Sequence, residues 1–259
     1  MNKQPNQWPA EVIWESVVTD HPGFSVEVLA QIDSTNSELM RRARAGRLEP
    51  VLLVAEHQTA GRGRLGRQWF SGTETSVAAS SLTFSLGLPL APRNWSGLSL
   101  TVGLSIAQSL HPDLRLKWPN DIWWHGRKLA GILLETASQG EARYLVVGVG
   151  INITQPQAEG LATPPAWLQE LLPGISAGQT LQRIAAPLLQ TIGRFEQEGF
   201  LPFQALFNDR DALHGLNVSL SDGVTGMAQG VDTDGALRVL TAQGLKKISS
   251  SEVSVRTLP

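Results

Sequence analysis

The 259-residue sequence contains no cysteine. Disulfides, thiolate metal sites and cysteine nucleophiles are therefore excluded together. Neither sign of charge is in surplus: 21 Lys and Arg face 23 Asp and Glu, a formal net charge of −2. No global field draws in nucleic acid, so any anion site has to be local. No stretch approaches the ~20 apolar residues needed to span a bilayer. The amino terminus, Met-Asn-Lys-Gln-Pro-Asn-Gln, lacks the apolar run of a signal peptide. A soluble cytoplasmic protein with no membrane or nucleic-acid partner is the expectation. Hydrophobic content of 42% and charged content of 17% describe a globular chain with a sizeable core. The length suits one large domain, or a large one plus a small one. Eight tryptophans are many for this length and belong in core or pocket walls.

The most unusual stretch runs over residues 58–71: Gln58-Thr-Ala-Gly61-Arg62-Gly63-Arg64-Leu-Gly66-Arg67-Gln-Trp69-Phe-Ser71. Glycine lets backbone approach a ligand closely. Backbone N–H groups and guanidinium forks held together suit carboxylate and phosphate. Such a loop is costly to order when empty, so it is expected to be mobile until an anion arrives. A solvated basic loop, or an Arg-Gly segment touching RNA, is the alternative.

Residues 1–25 hold Pro5, Pro9 and Pro22 and leave no room for a helix-turn-helix domain. Residues 26–32 alternate as a strand. Asp33-Ser34-Thr35-Asn36 then opens a helix, read with a capping box from Thr35 to Glu38 and an end at Gly46. Its hydroxyls either cap the helix or hold a polar ligand. Residues 51–56 read as a buried strand delivering the basic loop, 82–88 as another, and 98–110 as a close-packing helix. Residues 114–118, 122–124 and 128–135 read as strands, joined by Pro-Asn-Asp and by a tight turn at His125-Gly126-Arg127. Pairing them brings Lys117, Asp121 and Lys128 to one end of a sheet. Lysines there suit phosphate oxygens, and the aspartate suits Mg²⁺ or fixing a lysine. Salt bridges on a hairpin are the plainer reading. Residues 142–153 form a buried strand in which Gly148 and Gly150 leave bare backbone on one face. Something presses there, a ligand or a closely packed helix. Residues 155–177 read as an irregular excursion. Residues 180–199 read as an amphipathic helix capped by Thr180 and kinked or broken at Pro187. Residues 203–213 read as a last short helix. From about Gly215 onwards, four short strands with Asp222-Gly223 and Asp234-Gly235 turns suggest a small all-β barrel.

Taken in order, these segments resemble the bacterial biotin–protein ligases, the biotin–[acetyl-CoA-carboxylase] ligases. The likeness rests on Asp33-Ser34-Thr35-Asn36, Gly61-Arg62-Gly63-Arg64 through Trp69-Phe70-Ser71, Lys117-Trp118-Pro119-Asn120-Asp121, Arg127-Lys128-Leu129-Ala130-Gly131-Ile132-Leu133-Leu134-Glu135 and Gly148-Val149-Gly150-Ile151-Asn152. The resemblance implies an α+β fold. Its catalytic domain, residues 1–213, would be a mixed β-sheet flanked by helices, related to class II aminoacyl-tRNA synthetases and lipoate ligases. Residues 214–259 would form an SH3-like β-barrel. It implies an ATP-dependent ligase that makes biotinyl-5′-AMP from biotin and MgATP. Biotin then passes to a lysine of the biotin carboxyl carrier protein of acetyl-CoA carboxylase.

The resemblance also implies roles. Ser34, Thr35, Asn36 and Gln58 would meet the ureido end of biotin. Gly61, Arg62, Gly63 and Arg64 would close over its carboxylate and the adenylate. Lys128, with Arg64 and Asp121, would be catalytic. Arg67 and Lys117 would face phosphates, and Asn120 and Asn152 adenosine. Gly131, Gly148 and Gly150 would carry ligand on backbone, and Asp121 would support Mg²⁺ or the lysine network. Two departures stand out. Residues 72–81 are small and polar where the family runs into an apolar strand, and no amino-terminal DNA-binding domain is visible. A monofunctional ligase without operator binding is the expectation, with a homodimer left open. Lipoate or octanoate transfer on the same fold is the near alternative, and RNA binding the distant one. A P-loop kinase is disfavoured, because the basic loop lacks a Gly-Lys-Ser/Thr end.

Overall fold

Successive side chains of a strand point to opposite faces, and the strand over Ala142–Asn152 uses both. Leu145, Val147, Val149 and Ile151 enter the larger core, whereas Tyr144 and Val146 enter a smaller one. The computed structural model describes residues 8–71, 80–156, 163–249 and 255–257. In chain order these form α1 (Ala10–Val17), β1 (Ser25–Ile32), α2 (Thr35–Arg44), β2 (Val51–Gln58), β3 (Ser81–Pro89) and α3 (Leu98–Leu110). There follow β4 (Arg115–Lys117), β5 (Asp121–Trp124), β6 (Arg127–Gln139), β7 (Ala142–Asn152), α4 (Ala177–Glu198) and α5 (Gln204–Asn208). The chain ends in β8 (Asn217–Leu220), β9 (Thr225–Val231), β10 (Leu237–Thr241), β11 (Gly244–Ile248) and β12 (Val255–Thr257).

The main sheet has the order β1-β2-β3-β7-β6-β5-β4, with β1 and β2 parallel and the other pairs antiparallel. It is the expected mixed sheet flanked by helices. Apolar residues of α1, α3 and α4 pack on one face in the larger core. Helix α2 covers the other face through Leu39, Met40 and Ala43, which meet Val51, Leu53, Tyr144 and Val146. Helix α2 and the arginine loop thus share the less crowded face, where there is room for a site.

Several local expectations are corrected. Helix α1 was not foreseen; Ile13 and Val17, one turn apart, both bury in the larger core and hold it. The α2 cap is Ser34, whose Oγ accepts from the Ser37 N–H at 3.4 Å, and not Thr35. Glu38 instead pairs with Arg41 and Arg42, at 2.8 Å each. Helix α4 starts under a capping box between Ser176 and Gln179, one turn before Thr180. It runs unbroken through Pro187. Ile184, Leu188, Ile192 and Phe195 anchor it on both sides of that proline. The helix read over 203–213 shrinks to α5, led in by a 3₁₀ turn at Leu201–Phe203. The small polar run before β3 lies outside the described residues between 72 and 79, and so does part of the 155–177 excursion.

The carboxy-terminal strands form a separate antiparallel sheet of order β11-β10-β9-β8-β12. Strand β12 was not foreseen; it and β11 stand at the two ends of the strand order among the described residues. The two sheets meet where the buried Trp118 indole donates to the Gly235 carbonyl at 3.1 Å.

Candidate active site

Strand register places the site. Thr83, Gly150, Gly131, Asp121 and Lys117 are successive partners across β3, β7, β6, β5 and β4. Two residues along, Ser85, Gly148 and Leu133 form the neighbouring row. Residues in one row share a face, so both rows look towards α2 and the arginine loop. Ser85 and Asp121 lie three strand spacings apart, about 14 Å. One cavity reaches from Ser34, Thr35, Asn36 and Gln58 to Lys117, Asn120, Asp121 and Lys128.

The first end is neutral and fully hydrogen-bonded. Gln58 Oε1 accepts from the Thr35 N–H at 2.8 Å and lies 3.2 Å from Thr35 Oγ1. Ser85 Oγ lies 2.7 Å from Thr35 Oγ1 and donates to Asn36 Oδ1 at 2.6 Å. Asn36 Nδ2 donates to the Leu133 carbonyl at 3.3 Å and to Glu135 Oε2 at 3.0 Å. A Cβ on Gly148 would stand 2.1 Å from Asn36 Oδ1. The bare backbone at Gly148 is thus pressed by Asn36, from the first turn of α2.

The other end is cationic. Lys128 Nζ lies 2.7 Å from Asp121 Oδ1, a charge contact outside hydrogen-bond angles. The Lys128 backbone is clamped on both sides: its N–H donates to the Pro164 carbonyl at 3.0 Å, and its carbonyl accepts from the Ala166 N–H at 2.8 Å. Lys117 Nζ stands 4.5 Å from the centroid of the Trp123 ring. Burial pushes the Lys117 ammonium below the ordinary lysine range, with Asp121 opposing the shift and Lys128 and Arg67 adding to it. Burial also pushes the Arg64 guanidinium down, again against the pull of Asp121. Among the described residues Asp121 is the one carboxylate lining the cavity, set among Arg64, Arg67, Lys117 and Lys128. This excess of positive charge, partly buried at Arg64, Lys117 and Lys128, suits an anion, which would restore the solvation these groups lose.

The arginine loop is a closed hairpin over this face. The Trp69 N–H donates to the Gly61 carbonyl at 2.9 Å, and the Gly63 N–H to the Arg67 carbonyl at 2.7 Å. Arg62 holds Glu135 with two bonds, Nη1–Oε2 at 3.1 Å and Nη2–Oε1 at 3.0 Å. Arg64 Nη1 reaches Asn120 Oδ1 at 3.4 Å. The Trp69 ring lies over Gly150, where a Cβ would stand 2.2 Å from it. Its Nε1 finds no partner among the described residues, which leaves a donor in the cavity wall.

Of the residues singled out in the sequence, Gly61 and Asn152 are absent from the lining. Asn152 Nδ2 donates to the Ala166 carbonyl at 2.9 Å and so holds the segment that clamps Lys128. Three residues were missed. Ser85 had a faint signal, as Thr83 and Ser85 are polar at alternate positions of an apolar strand. Trp69 and Glu135 lie in the quoted motifs, yet neither has a spacing that marks it. No group of three or more His, Cys, Asp or Glu able to hold a metal occurs among the described residues, and no helix there is long and apolar enough to cross a membrane.

Residues 28–152 match the biotin/lipoate A/B protein ligase family, and residues 217–256 match the biotin protein ligase C-terminal domain. The chain is 35% identical to the bifunctional ligase/repressor BirA of Escherichia coli K12, over 91% of this chain and 75% of that one. It is 31% identical to the biotin–[acetyl-CoA-carboxylase] ligase of Paracoccus denitrificans, over 87% of this chain and 98% of its relative. A biotin protein ligase from Aquifex aeolicus, solved in complex with biotin and ATP, superposes with a TM-score of 0.75 at 29% identity, covering 90% of this chain and 99% of that one. The two-sheet fold, the cationic pocket beneath an arginine loop and matches along nearly the whole chain agree: it belongs to the biotin protein ligase family of enzymes.

Proposed function

We propose that this chain activates biotin with MgATP to biotinyl-5′-AMP, and then transfers biotin to a lysine of a biotin carboxyl carrier protein. The observation that carries the reading is the cavity's polarity. A neutral hydrogen-bonding end at Thr35, Asn36 and Gln58 suits the ureido group of biotin. A cationic end at Arg64, Arg67, Lys117 and Lys128 suits a carboxylate and phosphates.

In the first step a biotin carboxylate oxygen attacks the α-phosphorus. The bond from that phosphorus to the bridging oxygen breaks, and pyrophosphate leaves. Two anions must meet for this. At ~4 Å and an effective dielectric of ~20, unit charges repel by about 4 kcal/mol. Lys128 bridges the carboxylate and the α-phosphate, while Arg64, Arg67 and Lys117 take up charge developing on the phosphates. Asn120 lines the wall for adenosine, and Asn152 acts at one remove by holding residues 164–166. In the second step the carrier lysine's neutral amine attacks the acyl carbon. The acyl–oxygen bond breaks, AMP leaves, and the nitrogen loses a proton. No enzyme nucleophile is needed, in keeping with the absence of cysteine.

Mg²⁺, when bound with ATP, would supply charge neutralisation on the phosphates. It commonly takes one or two carboxylates plus phosphate oxygens, so a single lining carboxylate fits it. Asp121 is the lining carboxylate within reach of it, but the ion pair with Lys128 already engages one of its oxygens, so its first task is to fix that lysine. The mixed anhydride hydrolyses in water, and the closed loop is placed to exclude water from it.

Incubation with labelled biotin, MgATP and a carrier domain tests the reading: label should appear on one carrier lysine. Pyrophosphate exchange should depend on biotin. Exchange driven by lipoate and not by biotin would transfer the assignment to the lipoate branch of the fold.

A further inference from the structure

We propose that Glu135 is the positioning residue that latches the arginine loop, and that the latch is wired to the neutral end of the cavity through Asn36 and Ser85. This rests on the reading of that end as the site of the biotin head group. Glu135 stands on β6, outside the cationic cluster and outside the cavity lining. Its two oxygens accept three donors: both Arg62 η-nitrogens, at 3.0 and 3.1 Å, and Asn36 Nδ2 at 3.0 Å. Arg62 belongs to the loop and Asn36 to α2, so one carboxylate joins the two parts that cover the cavity.

Proton counting gives the chain a direction. Asn36 Nδ2 has its two donors engaged, by the Leu133 carbonyl and Glu135, so Asn36 Oδ1 is an acceptor only. Asn36 Oδ1 is satisfied when the hydroxyl proton of Ser85 points at it, 2.6 Å away. In that arrangement the 2.7 Å contact between Ser85 and Thr35 takes its proton from Thr35. Thr35 Oγ1 is left with lone pairs to accept from a ligand. The order is Thr35 to Ser85 to Asn36 to Glu135 to Arg62, and each link fixes the next. An N–H donor arriving at Thr35 favours this proton arrangement over the competing one, in which Thr35 donates to Gln58 Oε1 at 3.2 Å. Ligand at one end thereby firms the carboxylate that holds the loop.

Glu135→Gln tests the latch. The amide offers one acceptor oxygen where the carboxylate offers two, and it adds donors facing Arg62 and Asn36. Trypsin cleavage after Arg64 and Arg67 reads loop opening, and pyrophosphate released per biotin transferred reads adenylate leakage. With biotin present, the variant should be cleaved about fivefold faster than wild type, as expected for losing a half-exposed bidentate pair. Pyrophosphate release should outrun transfer in it. Arg62→Ala carries the same two readouts if Glu135→Gln does not fold. Ser85→Ala should weaken biotin's protection of the loop while leaving cleavage without biotin unchanged. Wild-type protection and stoichiometry in both Glu135→Gln and Arg62→Ala would overturn the latch. Undiminished protection by biotin in Ser85→Ala would overturn the wiring. A wild-type protein that biotin neither protects nor engages in exchange would instead defeat the functional reading itself.

Discussion

Asp121 Oδ1 lies 2.7 Å from Lys128 Nζ, and the two residues sit on neighbouring strands whose pairing slips by one residue between them. The slip sets Trp123 opposite Lys128 and Asp121 opposite Gly131. A ladder without it would put a different residue opposite Asp121. The irregularity, together with the clamp from residues 164–166, aims the ammonium along the row of Gly150 and Gly131 and into the cavity.

Lys128→Ala should therefore cut biotin-dependent pyrophosphate exchange by at least about a hundredfold, the scale of removing one preorganised charge from a reacting phosphate. The thermal midpoint should stay within a few degrees, because the backbone clamp does not use the side chain. Lys128→Arg should restore little, since a planar fork cannot take the place of a compact ammonium. Exchange at the wild-type rate in Lys128→Ala would remove the residue from the chemistry.

Asp121 invites a sharper comparison. If its main task is to orient Lys128, Asp121→Asn should lower kcat for adenylation about tenfold or more, with the half-saturating Mg²⁺ concentration little changed. A metal ligand gives the opposite pattern, with weakened Mg²⁺ dependence and kcat recovered at high Mg²⁺. We expect the first pattern, because the ion pair already takes the oxygen nearest the site. A Mg²⁺ titration of both proteins separates the two.

Much of this site was legible in the sequence, and for an identifiable reason. Glycines at alternate positions of an apolar strand have no packing role of their own, so Gly148 and Gly150 announced that something presses on that face. What presses was not legible. It is Asn36 and the Trp69 ring, brought there by α2 and by a loop whose closed shape depends on contacts with β6. Glu135 and Ser85 escaped for the same reason: a lone carboxylate or hydroxyl in a strand acquires meaning only from partners 49 to 99 residues away in sequence. Cap positions failed more simply. Thr35 and Thr180 are good caps by type, but Ser34 and Ser176 precede them and take the role.

Gly150→Ala should reveal the Trp69 contact. The added methyl would lie 2.2 Å from the indole, and a ring cannot give way as the end of a flexible chain does. Loss of stability of about 1–3 kcal/mol is expected from such overpacking. Biotin affinity should fall as well, since the displaced ring carries the loop's second arm. Gly131→Ala presses on the flexible Lys128 side-chain end, at 3.3 Å for Nζ, and meets the Trp69 ring only at an ordinary 3.6 Å, so it should cost less stability while lowering kcat. Urea midpoints and biotin titrations of the two variants check the ordering; equal stability losses would contradict it.

Asp211 provides a pH signature away from the chemistry. Burial pushes its carboxyl up from 3.8 to about 6, against the Leu213 N–H and His214, and its Oδ2 finds no partner among the described residues. Its neighbourhood joins the two sheets, because the Ala212 N–H donates to the Leu116 carbonyl at 2.9 Å just before β8 begins. The folded state therefore binds this proton more tightly than the unfolded chain does. The stabilisation is complete at low pH and is lost as pH rises from about 4 through about 6, a swing of roughly 3 kcal/mol at most. Asp211→Asn keeps the acceptor for Leu213 and removes the titration. Its urea-unfolding free energy should gain on wild type between pH 4 and 7, and the difference should level off above pH 7. Curves that run parallel across that range would show that the carboxyl titrates alike in both states.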